Sequence, residues 1–264
     1  MRPDLTESRA ADAPLVRVER RGPAAVLTLD SPHNRNALSR TLLAQLHAAL
    51  LAAPQDPGVR VVVLTGAGPA FCSGADLKEQ RTGGVAMVAA LPDVLLAIMQ
   101  GPLPVVARVN GAARAGGLGL VAACDLAVGL TSATFGFSEV RLGVVPAIIA
   151  VPCLLRLGRQ AARELFLTGE PFDGTRARQI GLLDRAVGED ELDATVDALV
   201  AQLGLGAPGA LAATRAVLDD LAGDDLAADL AWMAQVSAER FASDEGREGI
   251  AALLDERPPS WVAP

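Results

Sequence analysis

Aromatic residues are scarce in this sequence. They account for 3% of the 264 residues, and tyrosine is absent. Because few large rings are present, the core must be built from aliphatic side chains and alanine, with close backbone contacts at glycine. Hydrophobic residues reach 51%, so the chain is long and apolar enough to bury one large core.

Histidine and cysteine are also rare, which limits the available catalytic schemes. His33 and His47 lack the spacing of a metal-binding pair, and His47 falls in an amphipathic helical pattern. The cysteines Cys72, Cys124 and Cys153 are odd in number and have no metal-ligand spacing. A Gly-x-Ser-x-Gly nucleophile motif is missing too. We therefore expect no metal site and three reduced thiols, as in a cytoplasmic protein.

Basic residues are outnumbered by acidic ones, and the formal net charge is −8. This argues against nucleic acid as the main partner, because a phosphate backbone requires a positive face. An anionic small molecule is not excluded, since a few local basic side chains suffice. No uninterrupted apolar run reaches the roughly 18 residues of a membrane span. We expect a cytoplasmic protein without a membrane span, and we interpret residues 1–14, which lack the apolar stretch of a secretion signal, as a mobile tail.

The hydrophobic pattern changes along the chain. Up to about residue 187, short apolar strands alternate with glycine-rich turns and helices, and the β-branched runs at 59–65 and 105–109 are typical of buried strands. The remainder is mostly helical. This order predicts an α/β body over residues 15–206 and a helical region over 207–264.

One segment of the helical region carries apolar residues at helical spacing, namely Leu226, Leu230, Met233 and Val236. Such a stripe is explained equally well by packing against the body of the same chain and by a subunit interface.

Two glycine-rich loops each follow a buried strand and precede a helix, at residues 71–78 and 110–119. Backbone N–H groups and the positive end of a helix dipole at such places attract negative charge. Neither loop has the sequence of a P-loop or a dinucleotide-binding turn. A turn of this kind is more often structural than catalytic.

An acidic residue, Glu139, stands among apolar residues in the segment 134–143. It is either an exposed loop residue or a buried acid/base with a raised pKa. Composition does not decide between these interpretations.

Taken together, these segments resemble the crotonase (enoyl-CoA hydratase/isomerase) superfamily. Residues 32–38 resemble its Pro-x-x-x-Asn-Ala-Leu motif, and residues 71–77 its Phe-x-x-Gly-x-Asp-Leu motif. The loop that begins Asn-Gly lies at 110–125, and the Phe-Gly-x-x-Glu segment at 135–146. Further matches lie at 167–170, 181–183 and 241–245. This ordered set covers nearly the whole chain and is specific for the superfamily, though not for one reaction.

The resemblance implies an α/β fold, a spiral of ββα turns followed by a C-terminal helical region that mediates trimers, often paired into hexamers. It implies an acyl-CoA substrate and no separate cofactor, because coenzyme A is part of the substrate. By position, the N–H groups of Ala75 and Gly116 would form an oxyanion hole, and Glu139 would be the acid/base. Four residues would lie near the coenzyme A portion: Arg35, Ser73, Asp76 and Lys78. Four others would contact the acyl portion: Arg114, Gly117, Gly119 and Ala147.

The sequence departs from the superfamily pattern at one catalytic position. Hydratases of the common type use two glutamates, whereas here the first of these positions is Gly119. We favour hydration with Glu139 alone, because the chain also resembles bacterial hydratases of the methylglutaconyl-CoA kind, which tolerate glycine there. Migration of a double bond needs only one carboxylate and is the main alternative. Other crotonase chemistry and a non-catalytic acyl-CoA-binding protein also remain open.

Arg114, beside the second glycine-rich loop, admits several interpretations. Its guanidinium could pair with a second carboxylate on the substrate. It could equally point to solvent or pair with a structural acid such as Asp125.

Overall fold

Two β-sheets form the framework of the protein. The computed structural model describes residues 14–79, 85–220 and 226–259. The predicted tail at 1–14 therefore lies, apart from Pro14, outside the described residues.

The first sheet has six strands in the order β1-β2-β3-β5-β7-β10. Their bounds are β1 Val16–Arg21, β2 Ala24–Leu29, β3 Val61–Gly66, β5 Val105–Val109, β7 Leu126–Leu130 and β10 Arg185–Val187. β1 and β2 form an antiparallel hairpin, and the other neighbours pair in parallel. All six residues of β2 and of β3 are buried, as expected for apolar strands covered on both faces.

The second sheet is smaller, with the order β4-β6-β8-β9. Its strands are β4 Ala70–Cys72, β6 Ala112–Arg114, β8 Thr134–Gly136 and β9 Phe172–Asp173. The glycine-rich loop predicted at 71–78 overlaps β4, so that prediction is wrong for Phe71 and Cys72. A recurring unit is formed by the strand pairs β3–β4, β5–β6 and β7–β8. In each pair the first strand belongs to the first sheet, the second strand belongs to the second sheet, and a helix follows. The predicted ββα repeat is therefore confirmed.

Helices cover the sheets and make up the C-terminal region. In the first two thirds of the chain they are α1 Arg40–Ala52, α2 Val85–Met99, α3 Gly116–Ala123, α4 Ala147–Arg156, α5 Arg159–Thr168 and α6 Gly174–Gln179. The later helices are α7 Glu189–Gly204, α8 Pro208–Asp220, α9 Leu226–Ala242 and α10 Asp244–Leu254. Ser39 caps α1, since its side chain accepts a hydrogen bond from the amide of Leu42 at 3.2 Å.

The apolar stripe of α9 faces the body of the same chain. Leu230 is fully buried, and Leu226 and Met233 pack against the core. The packing interpretation of this stripe is therefore supported, whereas the trimer or hexamer stays a prediction.

Arg215 ties the C-terminal region to the body. From α8 it donates to the Asp125 carboxylate at 2.6 Å and to the carbonyls of Ile98 and Leu103 at 2.8 and 3.0 Å. The side chain thus satisfies the exposed carbonyl end of α2 and pairs with an acid, which explains how it can be 9% exposed. This pair also answers one question about Arg114, because the partner of Asp125 is Arg215.

Within the described residues, no single helix is long and apolar enough to cross a membrane. Helices α7 and α8 pass that test only as a pair, and they are bent by 101° at the break between them.

Asn36 holds the connection that leads into the first glycine-rich loop. It is fully buried with a φ of 58°, a left-handed conformation that asparagine tolerates. Its amide nitrogen donates to the carbonyls of Ala70 and Phe71 at 2.9 and 3.2 Å, and its oxygen accepts from the amide of Ser31 at 2.8 Å.

We expect Asn36→Ala to lower the free energy of unfolding by about 2–3 kcal/mol, because buried carbonyls lose their donor. Urea unfolding followed by circular dichroism measures the change. Asn34→Ala is the matched control, since the Asn34 side chain makes two weaker contacts of 3.3 Å. Equal effects of the two substitutions would contradict the anchoring role of Asn36.

Candidate active site

The first glycine-rich loop presents the amide of Ala75 on its open side. Leu38 bridges to this loop, since its N–H donates to Gly74 O at 2.7 Å and its carbonyl accepts from Asp76 N at 3.2 Å. Backbone groups alternate in direction along an extended segment, so the N–H of Ala75 points away from Leu38. Among the described residues it has no hydrogen-bond acceptor.

The second loop presents the amide of Gly116, the first residue of α3. The N–H groups in the first turn of a helix have no acceptor within the helix. The preceding residue, Ala115, has φ 46° and ψ −117°, which glycine adopts readily and alanine only with strain. Helix α3 begins directly after Ala115. The N–H of Gly116 has no acceptor in the described part of the chain.

The two loops lie against each other. A Cβ built on Gly74 would be 2.9 Å from Cβ of Ala115 and 3.4 Å from N of Gly116. Since Gly74 also has a φ of 87°, this close approach requires glycine. The contact brings the amides of Ala75 and Gly116 to the same cavity, whose lining includes both residues.

Glu139 begins a short 3-10 turn, Glu139–Leu142, after β8. Its carbonyl accepts from the amide of Val144 at 3.1 Å. The C-terminal helices hold this turn, because Arg240 donates to Gly143 O at 3.3 Å and Gly249 packs against Leu142.

Glu139 is 8% exposed, and its Oε2 atom has no partner among the described residues. Burial raises the pKa of this carboxyl from 4.5 to about 7, and a hydrogen bond from its own backbone N–H offsets part of the increase. The interpretation of Glu139 as an exposed loop residue is therefore wrong. Near neutral pH such a group can both accept and donate a proton.

A cavity joins these groups. Glu139, Ala75 and Gly116 line it together with Ala147. Most of the other lining side chains are apolar: Leu38, Leu91, Val145, Ile148, Ile149 and Phe241. The site therefore offers two backbone donors and one carboxyl group in surroundings of low polarity, where electrostatic interactions are strong.

A family model described as enoyl-CoA hydratase/isomerase matches residues 19–264. The chain belongs to this family. A solved enoyl-CoA hydratase from Mycobacterium avium has a TM-score of 0.86 and 44% identity, covering 94% of this chain and 99% of its own. The mevalonyl-coenzyme A hydratase of Aspergillus fumigatus is 32% identical over 89% of this chain and 90% of its own length. The human mitochondrial enoyl-CoA hydratase domain-containing protein 3 is 30% identical over 89% of this chain and 79% of its own length. The predicted crotonase fold and superfamily are thus confirmed.

Gly119 stands at the position of the first glutamate in the superfamily pattern, and the space beside it is occupied by Ile149. A Cβ built on Gly119 would be 2.4 Å from Cγ2 of Ile149, far inside van der Waals contact. Gly117 is equally enclosed, since its Cβ would lie 2.7 Å from Cys72 O. Both glycines are buried in α3, and neither lines the cavity. On this side the cavity wall is the aliphatic side chain of Ile149.

The structure places Arg114 outside the cavity lining. Its guanidinium lies over Gly136, where a Cβ would be 2.6 Å from Nη1. Partial burial lowers the pKa of Arg114. No salt bridge of Arg114 is found within the described ranges. The side chain contacts Gly136 of the second sheet and does not line the cavity.

The residues assigned to coenzyme A cluster around the first loop. Ser73 Oγ donates to Asn34 O at 3.1 Å, and Asp76 Oδ1 accepts from the amide of Lys78 at 3.0 Å. These two side chains thus stabilise the loop. Arg35 and Lys78 are exposed and stay candidates for contact with phosphates. Lys78 is the one lysine in the sequence.

Sequence reasoning assigned no residue of α9 to the site. Ser237 and Phe241, four residues apart on α9, contribute to the wall. The apolar stripe predicted on this helix included Val236, the residue before Ser237. The packing of α9 against α4 brings Ser237 to the site. From α2, Leu91 lines the cavity, whereas residues 80–84 lie outside the described part of the chain.

The buried carboxyl of Glu139 should make folding stability depend on pH. A carboxyl whose pKa is raised from 4.5 to about 7 binds its proton more tightly in the folded state, so stability falls as the pH rises between these values. The loss is roughly 3 kcal/mol once the pH exceeds 7. Glu139→Gln carries no such charge, so we expect it to gain about this amount over the parent protein between pH 4.5 and pH 8.

Urea unfolding at a series of pH values measures this difference. Glu170→Gln, a substitution at an exposed glutamate, serves as the control. Stability curves for Glu139→Gln and the parent that run parallel over the whole range would disprove the linkage.

Proposed function

We propose that this protein is an enoyl-CoA hydratase that adds water across the 2,3 double bond of an acyl-CoA, with Glu139 as its single acid/base. The observation that carries the proposal is the buried carboxyl of Glu139, whose Oε2 has no partner among the described residues, in the cavity that the amides of Ala75 and Gly116 also line. The names of the mycobacterial and fungal relatives, both hydratases, support this reaction.

In this proposal, the two amides bind the thioester oxygen of the substrate. Attack at C3 moves electrons through the conjugated system onto that oxygen, which acquires negative charge. Fixed N–H donors stabilise this charge, and each such donor typically contributes about 3–4 kcal/mol to catalysis. The Ala75 and Gly116 amides suit this role because no other acceptor in the described residues occupies them.

Glu139 then acts first as a base and afterwards as an acid. Its carboxylate removes a proton from water while the water oxygen bonds to C3 and the thioester becomes an enolate. The protonated Glu139 next donates that proton to C2, and the carbonyl re-forms. The net change is addition of one water molecule, with the enzyme unchanged. A pKa near 7 suits both steps.

Coenzyme A would approach from the first loop. We propose that Arg35 and Lys78, which are exposed there, contact its phosphates, and that Ala147 at the start of α4 contacts the acyl portion. Exposed basic side chains offer charge to phosphates without the cost of burying it.

Isomerisation of the double bond is the second candidate function, and one observation favours it. Ile149 occupies the space beside Gly119, so the described residues provide no second carboxylate to hold water. In an isomerase, Glu139 would take a proton from C2 of a 3-enoyl-CoA and return it to C4. This reaction requires no water in the cavity.

Product analysis with a panel of enoyl-CoA thioesters separates the two functions. We expect conversion of 2-enoyl-CoA to the 3-hydroxyacyl-CoA, detected by mass spectrometry as the gain of one water. Conversion of 3-enoyl-CoA to 2-enoyl-CoA with no gain of mass would favour isomerisation and contradict hydration.

Glu139→Gln tests the acid/base role in either reaction. We expect the variant to fold and to bind acyl-CoA with unchanged affinity, while kcat falls by roughly 10²–10⁴-fold. For the parent enzyme, kcat/KM should rise with pH through about 7, because the free enzyme needs the carboxylate. Glu170→Gln should retain full activity. A Glu139→Gln variant that keeps its activity would refute the assignment.

A further inference from the structure

Helix α9 carries a polar residue on a face that is otherwise apolar. Leu230 is fully buried, and Met233 and Phe241 pack against the core. Ser237 lies between Met233 and Phe241, four residues from each, and thus on the same face of the helix. A serine in a stripe that faces the core breaks the binary pattern, and such breaks are expected at functional sites.

Ser237 is a buried residue, and its hydroxyl group has no hydrogen-bond partner among the described residues. The residue is 6% exposed and lines the same cavity as Glu139. Helical hydroxyls commonly donate to the carbonyl one turn earlier, as Thr214 does to Ala210 O at 2.8 Å and Thr168 does to Glu164 O at 2.9 Å. Ser237 makes no such bond, nor any other with the described residues, so its hydroxyl is available to a bound molecule.

A purely hydrocarbon chain would leave this hydroxyl without a partner. Burial of an unpaired hydroxyl against apolar groups costs free energy, whereas alanine at the same position would not. The side chains around the cavity are otherwise apolar in the described part of the protein, apart from Glu139. Ser237 is therefore suited to a ligand that brings its own polar atom.

We propose that Ser237 forms a polar subsite of the acyl pocket, which binds acyl groups that carry a neutral oxygen substituent, a hydroxyl or a carbonyl, beyond the reacting carbons. This inference rests on the proposed acyl-CoA function and specifies its substrate class. A single hydroxyl can donate to either kind of oxygen and can also accept from a substrate hydroxyl.

Among the described residues, the charge of the site disfavours a carboxylate as the substituent. No lysine or arginine lines the cavity among the described residues, and Arg114 lies outside its lining. A second carboxylate would be buried without a counterion and would be repelled by the ionised form of Glu139. The subsite thus selects neutral oxygen and disfavours dicarboxylic thioesters.

Binding of saturated thioesters tests the subsite without turnover. The probes are pentanoyl-CoA, 5-hydroxypentanoyl-CoA and 6-hydroxyhexanoyl-CoA, and calorimetry gives their Kd values. We expect the parent protein to bind at least one hydroxylated thioester more tightly than pentanoyl-CoA. Ser237→Ala should weaken that binding by roughly 5- to 20-fold and leave pentanoyl-CoA unaffected.

Two further variants sharpen the result. Ser237→Thr retains a hydroxyl and should keep the preference, whereas Thr214→Val removes a hydroxyl outside the cavity and should change nothing. Equal weakening of all three thioesters by Ser237→Ala, or a parent protein with no preference, would overturn the subsite.

The outcomes also separate this inference from the proposed function. Selective binding of a hydroxylated thioester without turnover of any enoyl-CoA would support the subsite and overturn the hydratase. Hydration of enoyl-CoA with no preference for hydroxylated chains would overturn the subsite alone. Failure of all acyl-CoA probes to bind would overturn both.

Discussion

A buried carboxyl with one oxygen unpartnered among the described residues, enclosed by aliphatic side chains, is the constraint on which the rest of the site depends. Burial of Glu139 opposes its charged form and raises its pKa to about 7. A fold keeps such a group only if the surrounding structure is rigid enough to prevent the side chain from turning towards solvent. Here the rigidity comes from the turn Glu139–Leu142, which Arg240 and Gly249 hold from two C-terminal helices.

The donors opposite Glu139 depend on a different set of contacts. Asn36 and Asn110 fix the chain before each of the two loops, and Asn110 does so by accepting from Gly66 N at 3.0 Å and donating to Gly68 O at 2.9 Å. Ala115 then adopts a backbone conformation that alanine resists. These residues contribute no chemistry of their own. They orient two amides before any substrate arrives, which is the condition for efficient stabilisation of a developing charge.

Much of the fold could be predicted from the sequence because its signals are local. The buried strands at β2, β3 and β5 follow from runs of apolar residues, many of them β-branched, and α1 from its serine cap. The strand β4 was missed because three residues in a glycine-containing stretch have no readable period. Helix α4 gave no clear signal either, since it contains Pro152 and lacks a side-chain cap.

The candidate site was only partly predictable for a related reason. Glu139, Ala75 and Gly116 stand in motifs, so their positions could be recognised without coordinates. Whether Glu139 was buried depended on helices much later in the chain. Ile149 beside Gly119 and Ser237 beside the cavity are tertiary neighbours that no local pattern reports. For the same reason, Asp125 was considered as a partner for Arg114, whereas α8 supplies Arg215.

The placement of α9 and α10 has a consequence for the order in which the molecule matures. The ββα repeats, the amides of Ala75 and Gly116 and the residue Glu139 itself all precede these helices in the chain. During synthesis, the repeats leave the ribosome before the wall that contains Ser237 and Phe241 and before Arg240, which holds the turn. Until those last helices dock, the cavity lacks this part of its wall, and the turn that carries Glu139 lacks its contacts with Arg240 and Gly249. A chain interrupted before α9 would thus contain Ala75, Gly116 and Glu139 and still lack the part of the cavity wall that Ser237 and Phe241 form.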